Sequence, residues 1–151
     1  MSTTDKTQDK VAARGPAGGP RKIPAPRVLP ETQAYWTAAD EGRLLVKRCQ
    51  ACGEFHHYPR DICPLCLSDQ TEWREASGFG TLYSFSTMGK GEAAYTLAFV
   101  TLDEGVTLMS NLMGCDPASV SIGQKVQVTF VPSEGGHAVP MFTPVIEVRH
   151  V

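Results

Sequence analysis

Cys49-Gln-Ala-Cys52 and Cys63-Pro-Leu-Cys66, with ten residues between them, decide how this chain is read. The spacing C-x2-C-x10-C-x2-C makes two turns close enough for four thiolates to converge on one tetrahedral ion. In each turn both sulfurs can face one side, while the backbone amides that follow point at them and stabilise the thiolate charge. Gly53 frees the backbone after the first turn, and Leu67 stands at the equivalent place after the second. Four protein ligands close the shell and leave no position for water or substrate, so one structural zinc ion held by Cys49, Cys52, Cys63 and Cys66 is the expected occupant. A one-iron electron-transfer centre would use the same sulfurs. Disulfides are the third alternative, disfavoured because the N-terminus lacks the apolar stretch of a secretory signal. His56 and His57 lie between the turns and are surplus to a four-cysteine shell, so they are expected at the surface or behind the ligands.

Outward from this segment, residues 29–42 fit a short helix: Pro30 suits a first turn, Glu31 lies near the positive helix end and Gly42 makes a stop. Tyr35 and Trp36 anchor it against a surface, either the rest of this chain or another subunit. Residues 1–27 hold almost no large apolar side chain, too little to offset their ordering entropy, and read as a disordered basic tail. From Glu75 onward the period changes to two, and strands are expected around 79–86, 95–100, 106–112 and 126–130, with a last run at 144–148. Asp103-Glu104-Gly105 reads as a hairpin turn, residues 115–120 as one helical turn capped by Asp116, and Met88-Gly-Lys-Gly-Glu-Ala-Ala94 as a flexible loop that opens no helix. The expected fold is mainly β: an N-terminal helix at 28–42, a rubredoxin-like zinc ribbon at 43–74 and a five-stranded OB-fold barrel at 75–151.

The 151 residues, 42% hydrophobic, suit one soluble domain or two very small ones. No window approaches the ~18 to 20 consecutive apolar residues of a membrane-spanning helix, so a soluble, cytoplasmic protein is expected. The sequence contains no nucleophile elbow, phosphate-binding glycine loop, H-E-x-x-H or dinucleotide fingerprint. Cys115, the odd cysteine, follows an apolar strand with no His or Cys nearby and reads as a buried, inert thiol. Nothing reads as catalytic.

Ribbons and OB barrels both occur in nucleic-acid-binding proteins, so charge is the test. The formal net charge of −2 combines a tail of +4 with a remainder of −6. Residues 75–151 carry three basic residues against seven acidic ones, which would repel a phosphate backbone. A nucleic-acid module relying on its basic tail is therefore an alternative rather than the first reading.

The order of motifs is similar to one family. Gly42-Arg43-Leu44, Cys49-Gln-Ala-Cys52-Gly53, Pro59-Arg60, Cys63-Pro64-Leu65-Cys66, Trp73, Ser77-Gly78, Gly80-Thr81-Leu82-Tyr83-Ser84-Phe85, Leu102-Asp103-Glu104-Gly105, Gly123 with Val126, and Pro140-Met141-Phe142-Thr143-Pro144 resemble the Zn-ribbon OB-fold family catalogued as domain of unknown function 35. Leu67 in place of a glycine and the short 88–94 loop depart from its pattern. The resemblance covers about residues 29–148 and implies a non-catalytic accessory subunit of a thiolase-like or enoyl-CoA hydratase-like acyl-CoA enzyme. In that reading the partner carries the catalytic groups, and a CoA thioester can lie at the interface. Tyr35 and Trp36 would then be docking anchors, and Arg43, Arg48 or Arg60 would meet acidic partner groups or CoA phosphates.

Overall fold

The computed structural model describes residues 21–146. A 3-10 turn, Pro30–Thr32, leads into α1, Gln33–Asp40. Pro30 costs nothing there because the first amides of a helix have no partner in any case. The helix ends as the sequence expects: Gly42 takes φ +76, the Arg43 amide donates to the Ala38 carbonyl at 2.9 Å and the Gly42 amide to Ala39 at 3.1 Å. These two bonds satisfy carbonyls that would otherwise be orphaned at the helix end.

Three strands form the ribbon sheet in the order β2-β1-β3: β1 Leu45–Cys49, β2 Phe55–His56 and β3 Thr71–Glu75. Both neighbours run antiparallel to β1, so the first cysteine turn joins β1 to β2 and the second lies in the loop from β2 to β3. Lys47 of β1 has its ammonium 3.3 Å from the Asp61 carboxylate and 4.4 Å from the centre of the Trp73 ring, tying that loop back to the sheet.

The remaining strands close a barrel in the order β4-β5-β6-β8-β7: β4 Phe79–Met88, β5 Tyr95–Leu102, β6 Thr107–Leu112, β7 Lys125–Val131 and β8 Val139–Pro144. A 3-10 turn, Pro117–Ser119, sits before β7, with the Asp116 carboxylate accepting the Ala118 amide at 2.9 Å. On β5 the inward residues Thr96, Ala98, Val100 and Leu102 are all buried, and Leu82, Val126 and Phe142 meet them inside. One continuous core runs from this interior to Val46 of the ribbon and to Tyr35 and Trp36 of α1.

Three local expectations change. The last strand is Val139–Pro144, earlier than the 144–148 run. Pro140-Met141-Phe142 can pair along β7 because a proline needs only an edge without a donor, and Phe142 fills the barrel. Residues 147 and 148 lie outside the described residues, as do 1–20 of the expected tail. Residues 21–27 are not detached from the barrel: the Glu134 amide donates to the Ile23 carbonyl at 2.9 Å, and the Arg21 guanidinium lies 3.7 Å from the centre of the Tyr95 ring. Finally, the 88–94 loop contains a 3-10 turn, Gly91–Ala93. Among the described residues, no helix is long and apolar enough to cross a membrane.

The loop from β7 to β8 also clamps α1. Asp40 accepts the Ala138 amide at 2.8 Å and meets His137 Nδ1 at 2.6 Å. The Ala138 amide first, and then the His137 ring, hold the Asp40 carboxyl below its ordinary value. A depressed folded value adds stability above the unfolded carboxylate pKa of about 3.9 and gives it up as pH falls through the folded value. Asp40→Asn is therefore expected to melt below wild type at neutral pH, with the two melting points converging as the solution is taken below about pH 4; thermal melts over that range check it.

Candidate metal centre

The two cysteine turns are geometric copies. The Gly53 amide donates to the Cys49 carbonyl at 2.8 Å, and the Leu67 amide to the Cys63 carbonyl at 2.9 Å. Gly53 has φ +78 and Leu67 φ +63, so a leucine occupies the left-handed conformation that its counterpart meets with glycine. Amides point at sulfur as the spacing implies: Cys52 N lies 3.5 Å from Cys49 Sγ, and Leu65 N 3.4 Å from Cys63 Sγ. The Cys52 amide lowers the Cys49 thiol toward thiolate, against an opposing effect of burial.

All four sulfurs lie within 4.8 Å of one another. Cys49 and Cys66 are separated by 3.5 Å and Cys52 and Cys63 by 3.8 Å. A tetrahedral ion with metal–sulfur bonds of about 2.3 Å places its ligands about 3.8 Å apart. A disulfide needs about 2.05 Å, so the convergence fits an ion and not a pair of bridges. Cys49 and Cys63 are buried while Cys52 and Cys66 face solvent, which sets the site at the ribbon surface.

The histidines are placed differently from expectation. His56 is buried, with Nε2 at 3.2 Å from the Arg60 carbonyl oxygen, because β2 turns it under the loop. His57 packs between Tyr35 and Tyr58, and burial, with His56 nearby, pushes its pKa down to about 4. Among the described residues neither hydrogen-bonds a cysteine sulfur. Cys115 is half-buried rather than fully buried, and burial followed by the adjacent Asp116 pushes its thiol up, which keeps it protonated and unreactive.

Tyr35 and Trp36 are 5% and 8% exposed, which corrects the docking expectation. Their rings meet edge to face at 4.9 Å, Trp36 Nε1 donates to the Tyr58 hydroxyl at 3.3 Å, and burial raises the Tyr35 phenol. They fasten α1 to the ribbon and barrel, and most of each ring is covered within the chain. Arg43 pairs with Glu41 and Glu75, Arg60 with Glu31 at 3.1 Å, and Arg48 donates to the Gly53 carbonyl at 3.2 Å. The arginines each find a partner inside the chain.

Sequence reading passed over a groove of about 670 Å³ between residues 21–26, α1 and the barrel, whose walls include Trp36, Tyr58, Phe99, Met109 and Pro140. Its parts are far apart in sequence, so only the run of uncharged strand residues could have signalled it.

Residues 36–72 match the family profile described as the ChsH2 rubredoxin-like zinc ribbon domain, and residues 73–131 that of the ChsH2 C-terminal OB-fold domain. A DUF35 domain-containing scaffold protein of Methanothermobacter thermautotrophicus is 32% identical over 111 residues, covering 68% of this chain and 84% of that protein. The chain belongs to the DUF35 family. The solved structure named Ltp2-ChsH2(DUF35) aldolase is 31% identical with a TM-score of 0.72, over 80% of this chain and 99% of that one. A probable enoyl-CoA hydratase alpha subunit of Thermomonospora curvata is 31% identical over 128 residues, 82% of this chain; the DUF35 chain spans only 40% of that subunit's length.

Two substitutions test the DUF35 ribbon. Cys63→Ser is expected to abolish stoichiometric metal and unfold the ribbon, because a broken shell forfeits the binding energy that folds it; elemental analysis with circular dichroism reads both. Leu67, 77% exposed, has little packing to lose, so Leu67→Gly is expected to stabilise the metal-loaded protein by about 1 kcal/mol through relief of the left-handed backbone; a denaturant titration measures it.

Proposed function

We propose that this DUF35 chain is a non-catalytic, zinc-binding accessory subunit of a heteromeric, cytoplasmic thiolase-type acyl-CoA enzyme. In this reading it supports the partner's assembly and acyl-CoA site for thiolytic cleavage, aldol-type cleavage or acyl transfer. The observation that carries the reading is the two-module architecture, which follows the DUF35 aldolase chain over 99% of that chain's length. The closed cysteine set supports it, since four sulfurs leave an ion no open position for substrate. Zinc fits the four-thiolate donor set, and its contribution is to hold the ribbon.

The chain's own chemistry is consistent with this role. Cys115 is held as a thiol, and His57, neutral at physiological pH, is packed among tyrosines. We propose Arg43, Arg48 and Arg60 for contacts with acidic partner groups or CoA phosphates; Arg43 and Arg60 would exchange their present carboxylates to make them. A hydratase-like partner is the second reading, favoured by the relative from Thermomonospora curvata. Nucleic acid is disfavoured at the ribbon because, among the described residues, Arg43, Lys47, Arg60 and Arg74 each face a carboxylate, so the ribbon has little unpaired charge with which to release counterions.

Capture of the tagged full-length protein from its native lysate, with identification of what co-elutes and metal analysis, tests the reading. A thiolase-like enzyme at fixed stoichiometry, with one zinc per chain, is the expected result. A hydratase-like enzyme selects the second reading, and nucleic acid retained in moderate salt overturns both. Iron in place of zinc, with visible colour, overturns the structural role of the ion.

A further inference from the structure

β4, β5 and β6, neighbouring strands of 10, 8 and 6 residues, contain no Asp, Glu, Lys, Arg or His. Charged residues make up 20% of the chain. The inward positions are accounted for by the barrel core; the outward ones are not. Facing outward, Ser84 pairs with Phe99 and Phe99 with Met109, flanked on one side by the row Thr81, Thr101, Thr107, where the Lys125 ammonium of β7 donates to Thr81 at 3.2 Å, and on the other by Ser86, Leu97 and the covered Asn111. A bulge between Leu82 and Ser84 re-aims Tyr83, which stands 66% exposed, with Phe99 at 40% and Met109 at 59%.

A sheet face turned to water ordinarily carries polar and charged side chains, which also keep it from sticking to other chains. Depletion of charge with exposed aromatic rings and methionine is instead the composition of an interface core. Phe99 and Met109 also wall the groove beside α1, so the face and the groove are one continuous surface.

The occupant follows from area and shape. With a rise of about 3.3 Å per residue and a strand spacing of about 4.8 Å, the three strands present roughly 400 Å². A stable complex takes about 800 Å² from each partner, so two copies stacked through this face fall short. The face is the outer wall of a closed barrel, and two such convex walls meet only along a narrow strip, which leaves the groove unfilled. We propose that the outer face of β4–β6, together with the adjoining groove, is the docking surface for the acyl-CoA enzyme subunit. The partner's matching surface is apolar where it meets the sheet and carries a ridge that enters the groove, whose walls include the Arg21 guanidinium. This inference rests on the accessory-subunit reading.

The test compares binding of the identified, purified acyl-CoA enzyme to full-length wild type, Tyr83→Glu, Met109→Glu and Gln70→Glu, the last adding the same charge on the exposed ribbon. Tyr83→Glu and Met109→Glu are expected to bind at least tenfold more weakly, with melting point and metal content unchanged, while Gln70→Glu binds as wild type. Met109→Ser, expected to weaken binding as well, replaces the glutamate variant if that one does not fold. Wild-type affinity in the Tyr83 and Met109 variants overturns the surface and leaves the accessory-subunit reading standing. Wild type that captures no acyl-CoA enzyme removes that reading and this surface together. A wild-type dimer in sedimentation that Met109→Glu dissociates assigns the face to a second copy and overturns the proposal.

Discussion

Convergence of four sulfurs is the constraint on which the ribbon depends. Its three strands are short, β2 only two residues long, and the loop from β2 to β3 has its cysteines rather than a core to hold it. Ile62, Leu65 and Leu67 all point outward around the second turn, so apolar burial contributes little there. The ordering entropy of such a loop has to be offset by something other than packing, and the sulfurs of Cys49, Cys52, Cys63 and Cys66 converge closely enough to do so by holding an ion.

From this staple the rest of the chain is arranged by shared burial. Tyr35 and Trp36 reach from α1 into the same core as Val46 of the ribbon and Phe142 of the barrel. The β7 to β8 loop then grips the assembly from outside, holding α1 through Asp40 and residues 21–25 through Glu134 and Gly136. Gly136 is needed there, since a Cβ would come within 2.6 Å of the Ala25 Cβ. Among the described residues, the charged groups of the ribbon and of α1 are largely paired within the chain. The strands β4, β5 and β6 contribute no charged residue of their own.

The cysteine spacing, the glycine stop after α1, the period-two runs and the Asp103-Glu104-Gly105 turn were legible because each is a local rule: ligand spacing, a left-handed cap, alternation and hairpin geometry. The last strand was misplaced because 139–144 contains two prolines, and their tolerance is decided by which edge of β8 faces β7. Tyr35 and Trp36 could not be assigned from sequence, since adjacent aromatics suit a core and an interface equally; Tyr58 and the barrel wall make them core.

By itself the sequence determined which four cysteines converge, the mainly β class, the order of helix, ribbon and barrel, and the charge balance that disfavours a phosphate backbone. All of these follow from residue type and near-neighbour spacing. Tertiary structure alone decided that Leu67 would take the strained turn, that His56 would be buried and His57 packed between tyrosines, both without a bond to the sulfurs, and that each basic residue of the ribbon would find a partner. It also brought Tyr83, Phe99 and Met109 onto one surface. Strand register sets which residues share a face, and register depends on pairing between segments that no local rule links.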